Sequence, residues 1–163
     1  MRRRAFLFAL PALALAACER APAPQGTSSP ARVVHLGFAA PLTGPQAHYG
    51  RDMRNGIELA LEEINAAAPR SGGNAVRFEL LAEDDQADPR QATAVAQKLV
   101  DAGIAGMLGH FNSGTSIPAS RIYAQAGIPQ IAMATAPAYT AQGLRTTFRA
   151  MTSDTQQGSA LAR

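Results

Sequence analysis

The sequence predicts an α/β domain of three layers, with helices on both faces of a largely parallel sheet. Three observations carry that prediction. Short apolar runs of strand character recur along the chain. Between them lie segments of about 10–15 residues whose apolar side chains return at helical spacing. Glycine and proline stand at the handovers. Strand, helix and strand in succession make right-handed βαβ units, which set the strands parallel.

The first residues stand apart from that fold. Arg2, Arg3 and Arg4 precede an apolar run from Ala5 to Ala14, then Leu15, Ala16, Ala17 and Cys18. A basic start, a short apolar segment and small residues at a cleavage point read as a secretory signal peptide over residues 1–18. The run is too short to span a bilayer, which takes about 20 apolar residues. Cys18 is the only cysteine, so it has no internal disulfide partner. Leu-Ala-Ala-Cys resembles the bacterial lipobox, which implies lipidation of Cys18 and a membrane anchor. Residues 19–31 are rich in Pro, Ala and Ser, bury almost nothing, and read as a flexible tether.

The folded elements follow from Arg32 onward. Val33 to Ala39 is an apolar, partly β-branched run suited to a buried strand. Gly50 to Ala67 is a helix, with Met53, Ile57, Ala60, Leu61 and Ile64 on one face. Pro69 to Asn74 breaks it, and Ala75 to Glu83 alternates as a second strand. Pro89 opens a second helix at a position where proline is tolerated. Ala92, Val95, Ala96, Leu99 and Val100 form its stripe, and Gly103 ends it. Ile104 to Gly109 is a third strand, Ser113 to Gln125 a helix stopped by Gly127. Ile128 to Met133 is a fourth strand and Thr146 to Arg149 a fifth. Ser153 and Gln156 have the spacing of a capping box, and only about two turns follow. That short ending reads as a truncation.

Charge excludes one class of function. The chain has 15 basic and 12 acidic side chains, but setting aside Arg2, Arg3 and Arg4 leaves 12 of each. The rest of the chain is neutral and shows no cluster of Lys and Arg for nucleic acid.

In an open parallel sheet, ligands bind outside the carboxyl ends of the strands. Three loops leave those ends with informative residues: Pro41 to Gly50, Gly109 to Ser116, and Met133 to Pro137. Ser113 sits where strand passes to helix, so its hydroxyl joins unpaired helix N–H groups that favour an anion. The plainer reading is that Ser113 or Asn112 caps the helix. Thr135, on the neighbouring crest, adds a hydroxyl and main-chain groups; the plainer reading is a turn before Pro137.

Other clusters read as structural. Asp84, Asp85 and Asp88 stand between strand and helix, where acids suit the helix dipole. His35, His48 and His110 lack metal-ligand spacing with Cys18 or one another. No metal or cofactor is expected. Gly103, Gly106 and Gly109 begin before a strand and so do not form a phosphate fingerprint.

One set of residues, in order along the chain, resembles the leucine/isoleucine/valine-binding proteins. It runs from Gly37-Phe-Ala-Ala-Pro-Leu-Thr-Gly44 through Tyr49-Gly50, Gly56, Ile64-Asn65, Asp84-Asp85, Asp88-Pro89 and Gln91-Ala92. It continues through Gly109-His110, Ser113, Pro118, Ala134 to Pro137, Thr140, Phe148-Arg149, Ser153-Asp154 and Gln157-Gly158. These are type I periplasmic solute-binding proteins that feed branched-chain amino-acid ABC transporters. The resemblance implies a first lobe over residues 32–150, with 151–163 starting the crossover to a second. It implies that Ser113 binds an amino acid's α-carboxylate and that Thr135 contacts carboxylate and ammonium. The carbonyl just before Thr135, from Ala134 or Met133, holds the ammonium. Tyr49 lines the cleft mouth, and Asn112 stands where the family varies. The segment Ile131 to Thr135 is one residue shorter than the usual loop. Implied partners are an amino acid, a transporter permease and, through Cys18, a membrane; the acid that completes the ammonium site belongs to the second lobe.

The same residues admit two rival readings. An exported serine hydrolase would need glycines two places either side of Ser113, where Phe111 and Thr115 stand, and no acid and histidine follow in order. A sensor or amide receptor of the same fold differs in its effector, and none is present in the sequence.

Overall fold

The computed structural model describes residues 30–163. The leader, Cys18 and nearly all of the tether lie outside the described residues. The strands are β1 (Arg32–Ala40), β2 (Arg70–Ser71), β3 (Asn74–Asp84), β4 (Gly106–Gly109), β5 (Gln130–Ala132) and β6 (Thr147–Arg149). The helices are α1 (Ala47–Ala66), α2 (Pro89–Asp101), α3 (Ser113–Gln125) and α4 (Asp154–Leu161), with a 3₁₀ turn over Pro137–Tyr139. The sheet order is β2-β3-β1-β4-β5-β6, and every pairing is parallel except β2 with β3.

Crossovers between parallel strands are right-handed as a rule, so their direction across the sheet decides the face each helix covers. The β1-to-β3 step and the steps from β3 to β4 and β4 to β5 run in opposite directions. Hence α1 covers one face, while α2 and α3 share the other. Their shared core gathers Ala39, Val95, Ala96, Leu99, Ile104, Met107, Ala119, Tyr123 and Ile128. Asp88 caps α2 by accepting from the N–H groups of Arg90 and Gln91, and Pro89 fills the first helical position.

The stripe expected along α1 is only partly covered. Leu61 is buried and Met53 and Ile57 are half-buried, but Ala60 and Ile64 are exposed. The physical reason is geometric: α1 rests on β1 and β3, and among the described residues no second helix packs beside it over β5 and β6 on that face. Ile131 and Phe148 are 44% and 51% exposed there. One further feature escaped the sequence pattern. The break at Pro69–Asn74 is a tight antiparallel hairpin turning through Gly72 and Gly73, both at positive φ. The helix expected from Ser113 to Gln125 forms with those bounds as α3, running on through Pro118.

Candidate functional site

The strand order places a switch point between β1 and β4, whose following helices leave for opposite faces. Loops diverging there open a crevice at the carboxyl edge. Close backbone approach builds its floor. A Cβ on Gly109 would meet the Ala39 carbonyl oxygen at 2.2 Å, and one on Gly50 would meet the Pro41 carbonyl oxygen at 2.0 Å. Only glycine fits at either place.

Asp84 fixes the first loop. Its carboxylate accepts from the Leu42 N–H at 2.8 Å, the Gln86 N–H at 2.9 Å and the Thr43 hydroxyl. Partial burial pushes this carboxyl up, but the hydrogen bonds from Thr43, Leu42 and Gln86 outweigh it and hold it below the ordinary value. Asp85 turns inward and pairs with His110, its Oδ2 lying 2.7 Å from His110 Nδ1, both side chains fully buried. His110 Nε2 lies 3.2 Å from the Tyr123 hydroxyl. Burial pushes that phenol far above its ordinary range, and the nearby Asp85 charge adds to the effect. Tyr123 therefore keeps its proton, and the His110 ring bridges Tyr123 and Asp85 through its two nitrogens. Of the three acids expected at the helix start, only Asp88 caps α2; Asp84 holds the first loop, and Asp85 pairs with His110 across 25 positions.

The second loop starts α3, and neither candidate cap acts as one. Asn112 makes no side-chain bond to the helix; its amide donates to Gln46 Oε1 at 2.8 Å. The Ser113 hydroxyl instead accepts from the N–H groups of Thr135 and Ala136, each at 3.1 Å. The two residues singled out on separate loops are thus in direct contact. Among the described residues, the Ser113 and Gly114 N–H groups at the helix start have no partner. Phe111, Asn112, Ser113, Met133, Thr135 and Met151 line the cleft in front of them. Tyr49 is 48% exposed and stacks on Phe111, ring centroids 4.9 Å apart. Gln46 and Tyr49 thereby tie the first loop to the second.

The third loop forms the crest. Its carbonyls face away from Ser113: that of Thr135 accepts from the Asp154 N–H, and those of Ala134 and Ala136 accept from the Arg149 guanidinium. Ala134 is fully buried. Of the two carbonyls considered for an ammonium, the Ala134 one already faces a cation, whereas the Met133 one has no hydrogen bond among the described residues. The sequence reading missed Gln46, Phe111, Met151 and the contacts of Arg149. The aromatic at position 111, directly before Asn112, was the one signal available.

A family model described as periplasmic binding protein matches residues 33–163. The chain is 44% identical over 127 residues to Leu/Ile/Val-binding protein homolog 1 of Brucella abortus (strain 2308), covering 77% of this chain and 33% of that one. It is 39% identical over 132 residues to the leucine-, isoleucine-, valine-, threonine-, and alanine-binding protein of Pseudomonas aeruginosa, covering 80% and 35%. Among solved structures it is similar to an ABC transporter substrate-binding protein from Desulfitobacterium hafniense in complex with Leu. That match has a TM-score of 0.68 and 33% identity, covering 80% of this chain and 38% of that one. The chain spans about a third of the length of the curated relatives it matches.

Proposed function

Because this chain belongs to the periplasmic binding protein family, we propose that it forms the first lobe of an extracytoplasmic receptor that captures amino acids for an ABC importer. Residues 32–150 make the lobe, and 151–163 lead toward a second. The cleft takes the ligand's zwitterionic end. One observation carries this reading: two main-chain N–H groups fill the acceptor side of Ser113, so its hydroxyl proton is left to donate outward. That hydroxyl stands beside the unpaired N–H groups of Ser113 and Gly114, a donor set matched to a carboxylate at the positive end of a helix.

Thr135, whose hydroxyl has no partner among the described residues, contacts the same ligand end. The Met133 carbonyl suits the ammonium better than that of Ala134, since Arg149 already occupies the latter. Phe111, Met133 and Met151 give the side-chain space an apolar lining, which favours branched-chain over charged amino acids. Tyr49 and Asn112 shape the mouth. The two relatives are named for leucine, isoleucine and valine, and the Pseudomonas protein for threonine and alanine as well, all uncharged side chains that suit this lining.

Hydrolysis has less support. The buried His110 commits both ring nitrogens, to Asp85 and to Tyr123, and so offers Ser113 no base. Export through the leader and lipid attachment at Cys18 complete the proposal.

Titration of the chain with L-leucine, L-valine and L-glutamate, followed by amide NMR shifts, tests it. The expected result is weak, saturable binding of leucine and valine centred on the Ser113, Gly114 and Thr135 amides. Ser113→Ala should weaken it by about tenfold, the loss of one hydrogen bond to a charged group. Equal affinity in wild type and Ser113→Ala would refute the carboxylate site.

A further inference from the structure

Arg149 ends β6, in register with Ala132 of β5, so its side chain starts beside the strand that runs into the crest. From there its guanidinium gathers three neutral acceptors. One arm donates to the Ala134 carbonyl; the other donates to the Ala136 carbonyl and the Thr140 hydroxyl, both at 3.0 Å. The same group lies over the Tyr139 ring, 5.9 Å from its centroid. Among the described residues no carboxylate comes within ion-pairing distance of it. A half-buried cation held only by neutral partners leaves an uncompensated positive charge beneath this loop.

The crest passes that charge on. A trans peptide holds its C=O and N–H pointing in opposite directions. The unit joining Ala134 to Thr135 therefore turns its carbonyl to Arg149 and its N–H away, and that N–H meets Ser113 Oγ. The Thr135 carbonyl goes to the Asp154 N–H, and the Ala136 N–H joins Thr135 on Ser113. Hydrogen bonds in series polarise one another in the direction set by the charge at their head.

We propose that Arg149 is a positioning residue for the ligand carboxylate: it anchors and polarises the crest so that Ser113 is fixed as an outward donor. This deepens the reading of the cleft as a carboxylate site and rests on it. Lysine cannot replace arginine fully, because its compact ammonium lacks the planar fork whose two arms reach the Ala134 carbonyl on one side and Ala136 and Thr140 on the other.

The test compares the ¹⁵N-labelled full chain with Arg149→Lys and Arg149→Gln, by amide hydrogen exchange and by titration with L-leucine and L-leucinamide. In Arg149→Gln, exchange at Thr135 and Ala136 should quicken about tenfold or more, with Arg149→Lys between, while the amides of α2 keep their protection. Leucine affinity should fall about tenfold. Leucinamide, which lacks the carboxylate, should change little, so the preference for leucine shrinks. A residue that merely held the fold would weaken both ligands together and loosen amides throughout. That result overturns the proposal, as does unchanged exchange at Thr135 and Ala136. If Arg149→Gln does not fold, Arg149→Lys decides, since exchange at those two amides must still rise. A wild-type chain that ignores leucine overturns the cleft reading and the carboxylate role with it. A normal wild-type response left unaltered in Arg149→Gln overturns the role of Arg149 alone.

Discussion

The two faces of the sheet are built from the same kinds of residue yet differ in how far they close. Under α2 and α3, Val95, Ala96, Leu99, Met107, Ala119 and Tyr123 interlock into one core. Under α1, Met53, Ile57, Leu108, Ile131, Met133 and Ala150 line an apolar groove open to solvent. Successive strand residues point to opposite faces, so Met107 serves the first and its neighbour Leu108 the second. Apolar content does not by itself make a core. A second helix must arrive to cover it, and crossover direction sends two helices to one face and one to the other.

Substitutions on the two faces should separate accordingly. The largest effect is expected from Leu99→Ala on the closed face, where the residue is 1% exposed: a loss of about 3 kcal/mol by chemical denaturation. Equal tolerance of Leu99→Ala and Ile131→Ser would show that the two faces close equally. A smaller effect belongs to Asp84, which ties the first loop to the end of β3. Asp84→Ala should cost about 1 kcal/mol, the net worth of its lost hydrogen bonds. Because its carboxyl is held below the ordinary value of 3.8, its stabilisation is present above about pH 4 and fades as pH falls through the lower, folded value. Acid titration of the Leu42 and Gln86 amide shifts checks this, and Asp84→Asn should abolish the transition. The smallest effect is expected from Ile131→Ser and Phe148→Ser on the open face, each within about 0.5 kcal/mol by the same denaturation measurement.

The order of strands and helices was legible because each carried its own period or its own punctuation. The second helix shows this best, with Asp88, Pro89 and the stripe from Ala92 to Leu99 all agreeing. The capping box of Ser153 and Gln156 forms as its spacing predicted. The short hairpin at Arg70–Asn74 was not legible, since two-residue strands have no period to read. The first helix misled in part, because spacing shows which side chains share a face and not whether anything will cover them.

The site divides in the same way. Ser113 could be located from sequence because a strand-to-helix handover leaves helix N–H groups without partners, whatever the rest of the chain does. Its pairing with the crest, the turning of Asn112 toward Gln46, the stacking of Tyr49 on Phe111 and the grip of Arg149 could not. Each joins residues separated along the chain and brought together by strand order.

Local sequence thus determined which segments are strand or helix and where polar ends could gather, because those properties depend on neighbours within a few residues. Tertiary structure alone decided which loops meet, which way each carbonyl points and which apolar face is left uncovered. Those depend on the order of strands across the sheet, a quantity that no single segment encodes.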